Sequence, residues 1–380
     1  MSVDHPGAGA ASAGRLLRQE GFLAVSAATC LAFLLFGDDV LAADRDRPWL
    51  LAFVFAWLFA AILGSALAVV RHADHLADLL GEPLGTLILT LSVTGIEVVS
   101  ISAIMLHGEN NPTLVRDTLI AVIMIIMNGM VGLSLLMGAW KHREQHFNLQ
   151  GANTYLGVIL PLAVMALVMP NFTITTPGPT LALGQQRFLS IMAVGLYIAF
   201  LAVQTGRHKG YFTLGAEAEA TPHKEKPQGT RSIAFHAAML LGFMLPVVYL
   251  AEQLAKPVDV AIETLHVPAA LGGVAIAILV ATPEAVGAVR AAVSNHMQRS
   301  VNIFLGSVLS TIGLTVPAML AMSYWTGRHI VLGAEHAELI MILLTLGVSV
   351  VTFASGRTNM LQGLVHLLLF LAFVLLIFEG

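Results

Sequence analysis

Glu97 and Glu284 stand deep inside long apolar stretches, GTLILTLSVTGIEVVSISAIML (85–106) and GGVAIAILVATPEAVGAV (272–289), and no other acid of the chain is placed so. An ionised carboxylate in hydrocarbon costs roughly 2.5 kcal/mol or more at a bilayer centre, so each needs a partner, a proton or a cation. Two carboxylates carry the charge of one divalent cation, or of two protons. Gly95 and Pro283 beside the acids weaken a helix and free backbone carbonyls, so broken helices are expected here. Carbonyls and the hydroxyls of Thr94 and Thr282 would then add neutral oxygens to a hard-cation site. Zinc and other soft metals fit poorly, because no cysteine or histidine lies within two helical turns of either acid.

A second polar set follows each acid: Asn128, Gly129 and Ser134 in the first half, and Asn302, Gly306, Ser307, Ser310, Thr311 and Thr315 in the second. Small residues also serve close helix packing in membranes. The cluster Gly306-Ser307 with Ser310 and Thr311 reads further, as the wall of a site facing Glu97.

The elements that must hold these residues follow from composition. Of 380 residues 57% are hydrophobic and 11% charged, less than half the charge of a soluble protein. A net charge of -4 and a single cysteine, Cys30, exclude nucleic-acid binding and a disulfide scaffold. Apolar windows of about twenty residues are too long for barrel strands and number eleven, the first at 20–37. That first window also has the form of a signal peptide ending at Ala42, but the acidic Asp38, Asp39 and Asp44 read as an external loop and favour a retained helix. With the N-terminus in the cytoplasm, thirteen of the nineteen Lys and Arg residues fall inside.

The expected fold is therefore all-α and polytopic. It divides into an N-terminal tail and first helix (1–49), a repeat over 50–205, a cytoplasmic linker over 206–232 and a second repeat over 233–380. Leu84-Gly85 leads Glu97 by the same spacing as Leu271-Gly272 leads Glu284, and Gly132-Leu133-Ser134 matches Gly313-Leu314-Thr315. Five helices per repeat make the second enter from the opposite side. Inverted repeats are the signature of secondary transporters with a midplane site.

Several segments resemble known proteins: GEPLGTLILTLSVTGIEV (81–98), MNGMVGLSLLMG (127–138), FNLQGANTYLGVILPLAVMALVMPNFT (147–173) and, most specifically, LVATPEAVGAVRAAVSNHMQRSVNIFLGSVLSTIGLTVP (279–317). They look like the bacterial calcium/proton antiporters of the calcium/cation antiporter superfamily. The resemblance implies a transporter of the bacterial inner membrane, no enzyme, with calcium and protons as transported ions and no cofactor. It carries the role of paired cation- and proton-binding acids onto Glu97 and Glu284, and more loosely a supporting role onto Thr94, Thr282, Ser307 and Ser310. Where many relatives have Gly-Asn before the acid, this chain has Val93-Thr94 and Val280-Ala281. The missing amides leave sodium or potassium exchange as the alternative.

An intramembrane metal-dependent enzyme is the reading from another class, and it needs a histidine-rich set that His236 and His366, each isolated in sequence, do not supply. A passive channel suits a single occluding acid pair badly. No phosphate loop of P-loop form supports an ATP-driven pump. The run Arg71-His72-Ala73-Asp74-His75-Leu76-Ala77-Asp78, like His142, Glu144 and His146, reads as a solvated helix end or as a proton or calcium sensor, the first being the plainer reading.

Overall fold

A computed structural model describes residues 20–37, 47–81, 84–107, 112–214, 232–265, 268 and 270–379. The tail before Glu20, the acidic stretch at 38–46 and linker residues 215–231 lie outside them. The described residues form eleven long helices: α1 (Glu20–Gly37), α2 (Pro48–Leu80), α3 (Leu84–His107), α4 (Leu114–His142), α5 (Leu149–Phe172), α6 (Leu183–Thr205), α7 (Ile233–Leu265), α8 (Ala270–Val293), α9 (Met297–Thr326), α10 (His336–Phe353) and α11 (Met360–Glu379). Ten are long and apolar enough to cross a membrane, and α3 carries a shorter apolar stretch, Thr90–Ala103. Exposed Leu, Ile, Phe and Trp side chains on the outer helices face what would be lipid.

The repeat is visible in helix lengths. α2 and α7 each span 33 residues, α3 and α8 each span 24, and α4 and α9 span 29 and 30. Helices α3, α4, α8 and α9 form the centre, α2 lies along α7, and α5, α6, α10 and α11 close the outside. Backbones meet where side chains are missing. A Cβ on Gly273 of α8 would stand 2.8 Å from the Thr118 nitrogen at the start of α4, and one on Gly132 of α4 would stand 2.9 Å from the Leu367 nitrogen of α11. Membrane helices attract chiefly through such close contact, because lipid tails compete for every apolar side chain.

The helix breaks expected at Gly95 and Pro283 are not there, since α3 and α8 run unbroken through both acids. Proline costs α8 a single backbone bond, and the Thr282 hydroxyl donates to the Ile278 carbonyl at 2.5 Å in the same turn. The irregular turns lie in the neighbouring helices, as π-helical segments at Ile125–Met130 of α4 and Thr311–Thr315 of α9. α1 is packed rather than loose, with Ser26 and Ser65 sharing a 2.8 Å hydrogen bond and Trp57 donating to Thr29.

One small sheet ties the repeats together at the linker end. β1 (Gln145–His146) pairs antiparallel with β2 (Arg357–Thr358), joining the α4–α5 corner to the α10–α11 corner. Gln145 reaches on to the Ala292 carbonyl and the Asn295 side chain at the end of α8.

Candidate functional site

The unbroken α3 and α8 bring Glu97 and Glu284 to mid-span within electrostatic reach of one another. Helix α9 serves both. Thr311 and Thr315, four residues apart in its π-helical turn, donate to the same oxygen of Glu97 at 3.0 and 2.9 Å. Ser307, one turn earlier, donates to Glu284. Glu97 is 2% exposed, while Glu284 is half-buried. The second oxygen of Glu97 and the hydroxyl of Thr94, one turn away on α3, are both buried without a hydrogen-bond partner. Buried polar atoms without a partner are rare in native folds.

The other expected residues separate into two groups. Ser310 donates to the Ser307 carbonyl and so steadies the turn that carries Ser307. Thr282 is turned to its own helix backbone. Asn302 lines the approach to Glu284, but its amide donates to the Phe212 carbonyl at 2.8 Å. Asn128 points away from the acids. Its amide donates to Thr345 of α10 at 2.8 Å, and its oxygen faces His366 of α11 at 3.3 Å. Neither Asn side chain therefore offers the acids an amide oxygen in this conformation.

A cavity of about 280 Å³ leads to Glu284 from the linker end. Asp74 of α2 and Arg299 of α9 stand at its exposed mouth, Tyr155, Tyr197 and Gln204 line its side, and Pro283, Glu284 and Ser307 form its floor. At the opposite end two arginines tie helices together. Buried Arg116 bonds Asp117 at 2.8 Å and Glu335 of α10 at 2.9 Å, and Arg328 donates to the Met105 and Leu106 carbonyls that end α3. Glu284 thus meets the cavity from the linker end, while Glu97 is enclosed.

Sequence reasoning missed the cavity walls and the Arg116 ion pairs. Tyr155 and Gln204 carry no pattern that sets them apart; for Arg116-Asp117, a charged pair starting an apolar span was the available signal. Two histidines that sequence spacing isolates are not isolated. His236 lies 3.0 Å from His72, and His366 bonds Thr352 at 2.9 Å, because helix packing closes separations of 164 and 14 residues. Among the described residues no three His, Cys, Asp or Glu side chains are arranged to hold a metal, so any cation between the acids would rely on neutral oxygens as well.

The family model described as "Sodium/calcium exchanger protein" matches residues 50–206 and 235–379, one block for each five-helix repeat. The chain belongs to that family. It is a multi-pass membrane transporter of the calcium/cation antiporter superfamily and not an enzyme. It is 39% identical over 320 residues to the sodium-potassium/proton antiporter ChaA of Escherichia coli (strain K12), covering 83% of this chain and 86% of that one. It is 41% identical over 316 residues to the putative ionic transporter y4hA of Sinorhizobium fredii (strain NBRC 101917 / NGR234), with the same coverage. In fold it is similar to the crystal structure of the Ca2+/H+ antiporter protein YfkE, with a TM-score of 0.67 at 20% identity over 94% of this chain and 99% of that one.

Within this exchanger the serines are expected to tune the site rather than create it. Ser307→Ala/Ser310→Ala removes the Glu284 hydrogen bond and the brace behind it, while both carboxylates remain. Cation titration of exchange should show an apparent affinity weaker by about tenfold, the worth of roughly one charge-assisted hydrogen bond, with little loss of maximal rate. Unchanged affinity would return both serines to a packing role.

Proposed function

We propose that this chain exchanges cations for protons across a bacterial inner membrane by alternating access, with Glu97 and Glu284 binding both. The cation is calcium, whose charge the two carboxylates match. The acids take it up when deprotonated and release it on protonation, and the protein reorients only when they are neutralised. The single observation that carries this reading is that α9 holds both acids through hydroxyls, with Glu284 at the cavity floor and Glu97 enclosed. Two protons against one calcium would move no net charge, whereas one proton would work against about 2.3 kcal/mol per 100 mV. The linker end, where the cavity opens, is the cytoplasmic side by the distribution of Lys and Arg.

Sodium or potassium exchange is the second reading. It is favoured by the name of the Escherichia coli relative and by a site whose neutral side-chain donors are hydroxyls, with both nearby Asn amides engaged elsewhere. Everted vesicles carrying the protein and an acid interior separate the readings. Calcium added outside should release protons from the vesicles in proportion to the calcium taken up. Proton release by sodium or potassium alone would replace calcium with the monovalent ion, and release by none of them would remove antiport.

A further inference from the structure

Ser134 of α4 is fully buried, and its hydroxyl has no hydrogen-bond partner among the described residues. A serine inside a helix commonly spends its hydroxyl on the carbonyl one turn back, as Ser92, Ser102 and Ser349 do. Ser134 does not.

Its surroundings show which helix it faces. Leu133 is exposed to what would be lipid, Gly132 before it meets α11 at Leu367, and Ser134 after it lies on the other flank of α4. Gly138 is one turn further along that flank, and the space its side chain would take is held by Gln145, which bonds the Ala292 carbonyl near the end of α8. The flank therefore faces α8. Helices α4 and α8 run parallel, in contact at Thr118 and Gly273 near their starts and tied at their ends by His142, whose Nε2 lies 2.9 Å from the Val293 carbonyl. Between these ties Ser134 stands two thirds of the way along α4 and Glu284 just over half of the way along α8. The two residues are thus within about one helical turn of the same level.

The inverted repeats supply a role for that neighbourhood. Gly132-Leu133-Ser134 is the counterpart of Gly313-Leu314-Thr315, as Glu284 is of Glu97. Thr315 donates to Glu97, the enclosed acid, at 2.9 Å. The counterpart contact, from Ser134 to Glu284, is not made, and Glu284 takes the Ser307 hydroxyl and meets the cavity instead. If each repeat took the shape the other now has, the cavity would lead to the opposite face and Glu284 would become the enclosed acid. Ser134 would then stand where Thr315 stands now. It would be the single hydroxyl in line, because the counterpart of Thr311 is the apolar Met130.

We propose that Ser134 is the positioning residue of Glu284 in the conformation that encloses Glu284, donating to its carboxylate there as Thr315 donates to Glu97 here. The inference rests on the reading that both acids carry the ions and that the protein alternates, and it goes further by assigning a donor to one half of the cycle.

The test reads each face of the membrane separately. Cation-driven proton movement is followed in everted and in right-side-out vesicles of matched protein content, with calcium and sodium as probes. Ser134→Ala should raise the cation concentration for half-maximal exchange about tenfold at the face opposite the linker, and by no more than about twofold at the linker face, since one conformation alone uses the hydroxyl. Ser134→Thr should keep the parental values at both faces, because threonine is what the other repeat uses; a role in packing alone would be harmed by a methyl added at a fully buried position. A Ser134→Ala shift confined to the linker face, shared equally by both faces or absent from both overturns the proposal, and so does Ser134→Thr behaving as Ser134→Ala. Parent protein that moves protons with neither cation at either face would instead remove the underlying reading, and the proposal with it.

Discussion

Glu97→Gln and Glu284→Gln are each expected to abolish exchange while leaving the protein inserted and folded. Glutamine copies the shape of a protonated acid and cannot lose the proton, so the exchanger is held in one of its two loaded forms. Folding should tolerate the change. The Thr311 and Thr315 hydroxyls that donate to Glu97, and the Ser307 hydroxyl that donates to Glu284, find an amide oxygen in the same place. The two variants need not fail alike. Glu284 meets the cavity and Glu97 is enclosed behind Thr311 and Thr315, so Glu284→Gln should lose cation binding from the open side, whereas Glu97→Gln should retain weak binding without turnover. Cation-driven proton release in vesicles measures turnover, and isotope binding to purified protein measures the first step. Ordinary exchange in either variant removes that residue from the mechanism.

The dependence of cation affinity on pH should be steep, and its slope counts the protons displaced. If both carboxylates must lose protons before calcium binds, the apparent dissociation constant rises by about a hundredfold for each pH unit below the range in which the acids ionise. A monovalent ion displacing one proton gives about tenfold. Linkage demands the reciprocal effect, so saturating cation should expel the same number of protons into weakly buffered solution. Equilibrium binding by purified protein between roughly pH 5.5 and 8.5, with calcium and sodium compared, reads both slopes. A flat affinity in protein that still exchanges would separate the cation site from the proton path, and His72 would become the first candidate for the latter.

The helix count, the two repeats and the buried acids were legible because hydrocarbon forbids what water allows. A Glu inside an apolar run is conspicuous at any distance from its partner, and windows of about twenty residues mark spans without knowledge of packing. The hydroxyl cluster from Ser307 to Thr311 was legible for the same reason, although Ser307 turned out to serve Glu284 and not Glu97. Direction was not legible. Asn128 and Asn302 had the right chemistry, yet one is bound into the α10–α11 face and the other holds the segment leading to the linker. The helix breaks were misplaced, because Gly95 and Pro283 report local preference while the surrounding helices decide whether α3 and α8 bend. Pairings such as His72 with His236 depend on which helix lies beside which, and no local pattern encodes that.

The π-helical turn of α9 separates Ser307 from Thr315 by one residue more than a regular helix would accommodate in the same rise. If that surplus residue were passed along the helix, everything beyond it would change phase by about 100°, the angle between successive α-helical residues. The Ser307 contact and the Thr311–Thr315 contact would then no longer face their acids together. On the proposed mechanism, register along a single helix would be one way of serving the two carboxylates in alternation, and α4 of the other repeat carries a π-helical segment of its own at Ile125–Met130.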